Sequence, residues 1–217
     1  MKGLLVKDFN LLKMQKNFFF MIIIVAIAMA VSMHDITFVF YYLMFIIPKL
    51  SLSTISYDEF DNGNAFLFSL PISRRDYIIE KYCFGLLLTL GSWVLATVLS
   101  LVFNVLNESN SNSDVLLDSL LILAIIIIFQ SIMIPLQIKF GGEKGRIAIF
   151  AVVGITIVVA YGVVKVLEIL GVDVFLVLND LSTLSIGVLA AIIIVVTIVV
   201  MCISMKISTF ILNRKEF

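Results

Sequence analysis

The chain has 217 residues, of which 62% are hydrophobic and 14% charged, with 15 basic against 15 acidic side chains and a mean hydropathy of +1.18. Soluble domains carry charge on roughly a quarter of their residues, so these values exclude a water-soluble globular protein and require an integral membrane protein. No nucleic-acid partner is expected, and the two cysteines, Cys83 and Cys202, match no metal or redox spacing and read as small apolar fillers.

In residues 1–16, Met1, Leu5, Phe9 and Leu12 fall near one side of a helix and Lys2, Asn10 and Lys13 largely opposite. That is the pattern of a helix lying in the membrane interface, although Asp8 interrupts the apolar side. A basic leader that only sets topology is the alternative. Next come runs long enough to cross about 30 Å of hydrocarbon, which takes roughly 17 to 25 helical residues. They occupy residues 17–33, 36–56, 82–106, 115–138, 147–164 and 184–205. Each is apolar all round rather than alternating, which selects helices over barrel strands. The expected fold class is therefore all-α: a polytopic membrane protein with six transmembrane helices, forming one membrane domain over residues 1–217. A signal peptide ending near Ala28-Met29-Ala30 is the competing reading of the start; the leader is expected to be kept, since its removal leaves an odd number of spans.

Met33, His34 and Asp35 leave room only for a tight turn between the first two runs, and His34, the single histidine, has no metal-ligating partners at a useful spacing. Lys and Arg then collect on alternate connections. Lys2, Lys7, Lys13 and Lys16 precede the first run; Arg74, Arg75 and Lys81 separate the second from the third; Lys139, Lys144 and Arg146 separate the fourth from the fifth; Lys206, Arg214 and Lys215 end the chain. The other connections carry Asp35, then Glu108, Asp114 and Asp118, then Glu168, Asp173 and Asp180, with Lys165 as the basic exception. Retention of positive charge on the inner side places both termini in the cytoplasm.

Residues 57–82 read YDEFDNGNAFLFSLPISRRDYIIEKY, the longest stretch mixing both charge signs. Asp58, Glu59 and Asp61 lead into Asn62-Gly63-Asn64, a signal for a turn and a helix start. AFLFSL, closed by Pro71, is too short to span and too apolar to be left in water, so it needs the interface or a partner protein. Ser73 and Asp76 have capping-box spacing, which starts a new helix running directly into the third span and sets Arg74, Arg75 and Lys81 at headgroup height. A short amphipathic helix, a proline stop and a capped helix form a mechanical docking element or an interfacial helix that only orients the protein. No GxxxxGK[ST] loop is present, so any ATP hydrolysis belongs to another polypeptide, and no cofactor is expected in this chain.

Further on, NESNSNS at residues 107–113 is a polar outer turn. Residues 165–183, KVLEILGVDVFLVLNDLST, are too apolar for a solvated loop but broken by Gly171, Asp173, Asn179 and Asp180. They fit a pair of short re-entrant helices, with a flat interfacial loop as the alternative. Within the spans, Lys49, Gln130 and Gln137 are candidates for a translocation path because polar groups are costly there. Snorkelling of Lys49 and interhelical hydrogen bonds of the glutamines explain them as well. The remaining walls are Ile, Val, Leu and Phe, which suit a lipid-like or amphipathic cargo.

MKGLLVKDFNLLK at the start, SYDE at residues 56–59 and SLPISRRDYIIEKY at residues 69–82 resemble the small permease subunits of bacterial type-2 ABC transporters. Among these the chain is similar to exporters of amphipathic peptides such as phenol-soluble modulins and of antimicrobial peptides. The resemblance implies two permease subunits, identical or paralogous, side by side in the cell membrane above two ATP-binding subunits that hold ATP and Mg. It implies a cytoplasmic coupling helix in which Asp58, Glu59, Phe60, Asp61, Phe66, Leu67 and Phe68 meet the ATPase, with Pro71, Ser73, Arg74, Arg75 and Asp76 passing movement on to the third span. FDNGNAFLFSL departs from the more charged, Trp- or Lys-containing stretch of the family. The rival readings are a stand-alone secondary carrier or channel, an intramembrane enzyme, which lacks a mid-membrane cluster of His or acidic residues, and a structural anchor or immunity factor.

Overall fold

The computed structural model describes residues 2–33, 36–60, 63–107, 118–141 and 186–215, together with the isolated positions 154, 161–162 and 165. Apart from those positions, the run expected at 147–164 and the re-entrant segment expected at 165–183 lie outside the described residues, as does Asp61. The described elements are helices: α1 (Lys2–Met14), α2 (Lys16–Met33), α3 (Ile36–Glu59), α4 (Gly63–Ser69), α5 (Arg74–Asn107), α6 (Asp118–Gly141) and α7 (Ile186–Arg214).

Four helices, α3, α5, α6 and α7, are long and apolar enough to cross a membrane; α1 and α2 pass the same test only together, bent by 62°. The described residues thus hold four candidate spans, or five if the bent pair is one, and the expected six are not reached among them. At the bend the Gln15 amide donates to Leu12 O at 2.9 Å and the Phe18 amide to Gln15 O at 2.9 Å. These three-residue bonds tighten the chain into a corner.

α3 packs along α5, α2 against α3, and α5 against α7, while α1 lies across α3 and α5 and α4 folds back on α3. α5 has 34 residues, about 51 Å at 1.5 Å per residue, against a hydrocarbon layer of about 30 Å. The helix is therefore longer than the layer it would cross, and its first turns lie at the end of the bundle that also carries α1, α4 and the last turn of α7.

Two apolar cores result. Ile22, Phe40, Met44, Ala96 and Ile126 join α2, α3, α5 and α6 within the bundle. At the α4 end, Leu4, Ile55, Leu67, Ile78, Ile138 and Leu212 bring together α1, α3, α4, α5, α6 and α7. Neutral hydrogen bonds tie the long helices together. The Tyr82 hydroxyl lies 2.5 Å from Ser204 Oγ and 2.9 Å from Ser208 Oγ, and Ser204 also donates to the Ser131 carbonyl.

Candidate coupling site

Local chemistry builds the α4 region step by step. A Cβ on Gly63 would stand 2.8 Å from the Asp58 carbonyl oxygen, so only glycine lets α4 begin this close to the end of α3. Gly141, at φ +77°, closes α6 beside Glu59; an added Cβ there would meet the Glu59 carboxylate at 2.8 Å. Glu59 in turn accepts from Lys215 Nζ at 2.5 Å, and Lys215 also donates to the Ile138 carbonyl at 3.0 Å.

α4 is two-faced. Leu67 is buried in the core at this end, and Phe68 stands half-buried with its ring 5.6 Å from that of Tyr77, edge-on. Phe60, just before α4, and Phe66 within it are each 72% exposed. After Pro71 the chain turns, and the Asp76 amide donates to Ser73 Oγ at 3.0 Å while the Ser73 hydroxyl donates to the Asp76 carboxylate at 2.7 Å. Ser73 is thus the N-cap of α5, but Asp76 reaches its hydroxyl rather than a backbone amide. Arg74 donates to the Leu212 carbonyl at 2.6 Å and lies 5.8 Å from the Phe68 ring, which pins the first turn of α5 to the last of α7. Arg75 is exposed.

Behind α4 sits a buried ionic cluster. Lys81 Nζ lies 2.5 Å from Asp8, 2.8 Å from Asp58 and 3.1 Å from Thr54 Oγ1. Lys7 pairs with Asp58 and lies 3.2 Å from the other Asp8 oxygen. The Tyr77 hydroxyl donates to Asp58 at 3.1 Å, and Thr54 Oγ1 donates to Asp8 at 2.9 Å. The side chains of Asp8, Lys81 and Glu80 are wholly inaccessible. Glu80 is 3.9 Å from Lys81, yet among the described residues neither of its carboxylate oxygens has a hydrogen-bond partner. Three carboxylates therefore face two ammonium groups.

Burial explains why the cluster joins its helices firmly. Each buried charge has lost its water, so removing one partner leaves the other uncompensated, at a cost of about 3–5 kcal/mol. Asp8 comes from α1, Asp58 from the last turn of α3 and Lys81 from the second turn of α5, with α4 hung between the latter two. The cluster thereby ties the two helices that flank α4 to each other and to α1.

The residues singled out in the sequence separate into groups. Phe60 and Phe66 face outward, whereas Asp58 and Leu67 are turned into the protein and Glu59 is held by Lys215. Lys81, expected at headgroup height, is instead buried between α1 and α3. Lys49 is exposed with Nζ 4.3 Å above the Phe45 ring. Gln130 Nε2 donates to Ser51 Oγ at 2.6 Å and its oxygen accepts from Thr89 at 3.0 Å; Gln137 Nε2 donates to Ser56 Oγ at 2.5 Å. Both glutamines therefore bridge helices.

Lys7, Asp8, Thr54, Tyr77 and Glu80 were not singled out as site residues, although the sequence held one signal. Leu4, Asp8 and Leu12 recur every four residues, and these are the buried residues of α1. The aspartate that interrupts an interfacial face is thus the centre of the face turned to protein. Among the described residues no group of His, Cys, Asp and Glu could hold a metal ion.

Over residues 3–213 the chain matches the family model described as ABC-2 family transporter protein. No curated protein and no solved structure matches it. A multi-pass helical bundle with a short two-faced helix tied into its end, matched over nearly its whole length, places this chain in the ABC-2 transporter family, as a membrane permease of an ABC transporter.

Proposed function

We propose that this permease couples ATP hydrolysis by separate ATP-binding subunits, two per complex, to export of a hydrophobic or amphipathic compound, an amphipathic peptide being the leading class. It works beside a second permease, identical or paralogous, in a bacterial cell membrane, with the α4 end in the cytoplasm. The excess of Lys and Arg on that side supports this orientation. The observation that carries the reading is the pair Phe60 and Phe66, exposed on a segment whose other face is locked into the protein. Large aromatic side chains left in water on a rigid mount are what a protein partner buries.

The mechanism follows from the mount. A partner that grips Phe60 and Phe66 displaces α4. Leu67 and Phe68 carry that displacement into the core at this end, and Asp58, Lys81 and the capped start of α5 carry it to a spanning helix. Because α5 is one continuous helix from Arg74 to Asn107, rotation at its start reaches the far side of the bundle. The Ile-, Val-, Leu- and Phe-rich walls favour an apolar or amphipathic cargo over a hydrated ion.

A mild-detergent pull-down of the chain from its native membrane, with mass spectrometry of what remains bound, tests the reading. A stoichiometric ATP-binding subunit retained by the wild type and lost from Phe66→Asp is the expected result. Recovery of the chain alone, monodisperse and competent for transport in vesicles without ATP, overturns it in favour of a stand-alone carrier or channel.

A further inference from the structure

On the outer side of the same end, away from the ionic cluster, α5 and α7 leave a cleft of about 570 Å³ between them. Among the described residues its lining includes two cations, Arg75 from the first turn of α5 and Lys206 from α7, and no acidic side chain. Both are exposed, and neither makes a hydrogen bond, ion pair or ring contact with any described residue. Other exposed cations here are occupied: Arg214 stacks 4.2 Å from the Phe210 ring, and Lys139 lies 5.1 Å from that of Phe140. The nearest carboxylate in sequence, Asp76, is engaged by the Ser73 cap.

The cleft is graded along its depth. The bonds from Arg74 to Leu212 and from Tyr82 to Ser204 and Ser208 fix the antiparallel register of α5 and α7. Arg75 is therefore level with Asn213 at the mouth, and Lys206 lies seven residues further along α7, about 10 Å deeper at 1.5 Å per residue. A lysine at that depth runs its alkyl stem back toward the headgroup layer. Between and below the two cations the wall is apolar, with Ile79, Met205 and Phe210. Thr209 spends its hydroxyl proton on the Met205 carbonyl at 2.8 Å, which leaves its oxygen free only as an acceptor.

We propose that this cleft binds an anionic phospholipid of the adjacent leaflet, its phosphate held by Arg75 and Lys206, its headgroup near Asn213 and an acyl chain against Ile79, Met205 and Phe210. Two cations with no partner among the described residues, set over an apolar slot, complement a charged headgroup that carries its own hydrocarbon, and an apolar peptide would leave both cations unsatisfied. A lipid there braces α5 against α7 beside the coupling segment.

The test is native mass spectrometry of the full-length permease released from nanodiscs of mixed phosphatidylglycerol and phosphatidylcholine. The wild type is expected to retain phosphatidylglycerol in preference to phosphatidylcholine, and Arg75→Gln/Lys206→Gln to lose about tenfold of that retention. Lys13→Gln, on the exposed face of α1, is expected to leave it unchanged. Cys202 also lines the cleft, one turn of α7 below Lys206, and Cys202→Phe, which fills that apolar floor while both cations stay, is expected to lower retention with an unaltered melting temperature. Equal retention by the double variant or by Cys202→Phe overturns the proposal, and so does equal retention of the two lipids. Displacement of phosphatidylglycerol by millimolar inorganic phosphate would assign the cations to a free anion instead. Loss of the ATP-binding subunit from Phe66→Asp would leave these lipid results unaffected, so the two proposals fail separately.

Discussion

The interior of this bundle and its α4 end are held together by different chemistry. Inside, Phe40, Met44, Ala96 and Ile126 interlock, and the polar side chains that cross between helices are neutral, as with Gln130 between Ser51 and Thr89. At the α4 end Lys7, Asp8, Asp58, Glu80 and Lys81 are packed against one another. A neutral hydrogen bond between membrane helices contributes about 0.6 kcal/mol on average and tolerates small sliding. A buried ion pair demands its partner, since separation strands both charges away from water. The difference lies in what each contact requires: the neutral bonds of the interior can be lost at small cost, while α1, the end of α3 and the start of α5 are held to one another by charges that need their partners.

The contrast breaks most directly at its centre. Lys81→Met removes the cation shared by Asp8 and Asp58 and is expected to destabilise the permease by about 3–5 kcal/mol. This would be read as a large fall in melting temperature in detergent and in yield from the membrane. Restoring much of that loss by adding Asp8→Asn would establish that the stranded carboxylate, rather than lost packing, causes it. A Lys81→Met variant that melts like wild type would remove the argument for a single rigid end.

Neighbours on α4 sharpen the comparison next. Leu67→Asp buries an unpaired charge in the core and is expected to cost about 2–4 kcal/mol. Phe66→Asp, one residue away on the exposed face, should change stability by less than about 0.5 kcal/mol while abolishing retention of the ATP-binding subunit. Equal melting temperatures for the two variants would show that α4 does not have the two faces described.

Smaller effects separate neutral from charged contacts. Gln130→Leu forfeits bonds to Ser51 and Thr89 and should cost about 1 kcal/mol, measured by the same melting assay with ATPase coupling retained. The least change is expected from Glu80→Gln. Its carboxylate has no hydrogen-bond partner among the described residues, and the amide would leave two carboxylates facing two ammonium groups. Stability should therefore be unchanged or raised by up to about 1 kcal/mol. A clear loss on Glu80→Gln would mean that Glu80 has an ionic partner in the assembled transporter.

Much of the helical plan was legible, because hydropathy over 20 residues is a local property. The runs beginning at residues 17, 36 and 82 became α2, α3 and the membrane part of α5, and Ser73 caps α5 at the position its spacing marks. The short helix α4 was legible as an element, from Gly63, the apolar AFLFSL and Pro71. Its division into an outward Phe66 and an inward Leu67 was not, because seven residues of helix offer too few turns for periodicity to decide which side meets protein. The ionic cluster was the hardest to read. Asp8, Asp58 and Lys81 are separated by 50 and 23 residues, and pairing at that distance in sequence leaves no local pattern.

By itself the sequence determined that this is a helical membrane protein, roughly where its helices run, and which loop mixes charge with apolar residues. Those features follow from the free energy of transferring each segment into hydrocarbon, to which each residue contributes on its own. Only the tertiary structure decided that Lys81 is buried rather than at the surface, that Asp8 is the hub of α1, and that Arg75 and Lys206 share a cleft. Whether a charge is solvated, paired or left waiting for a ligand depends on what other parts of the chain bring within a few ångströms of it.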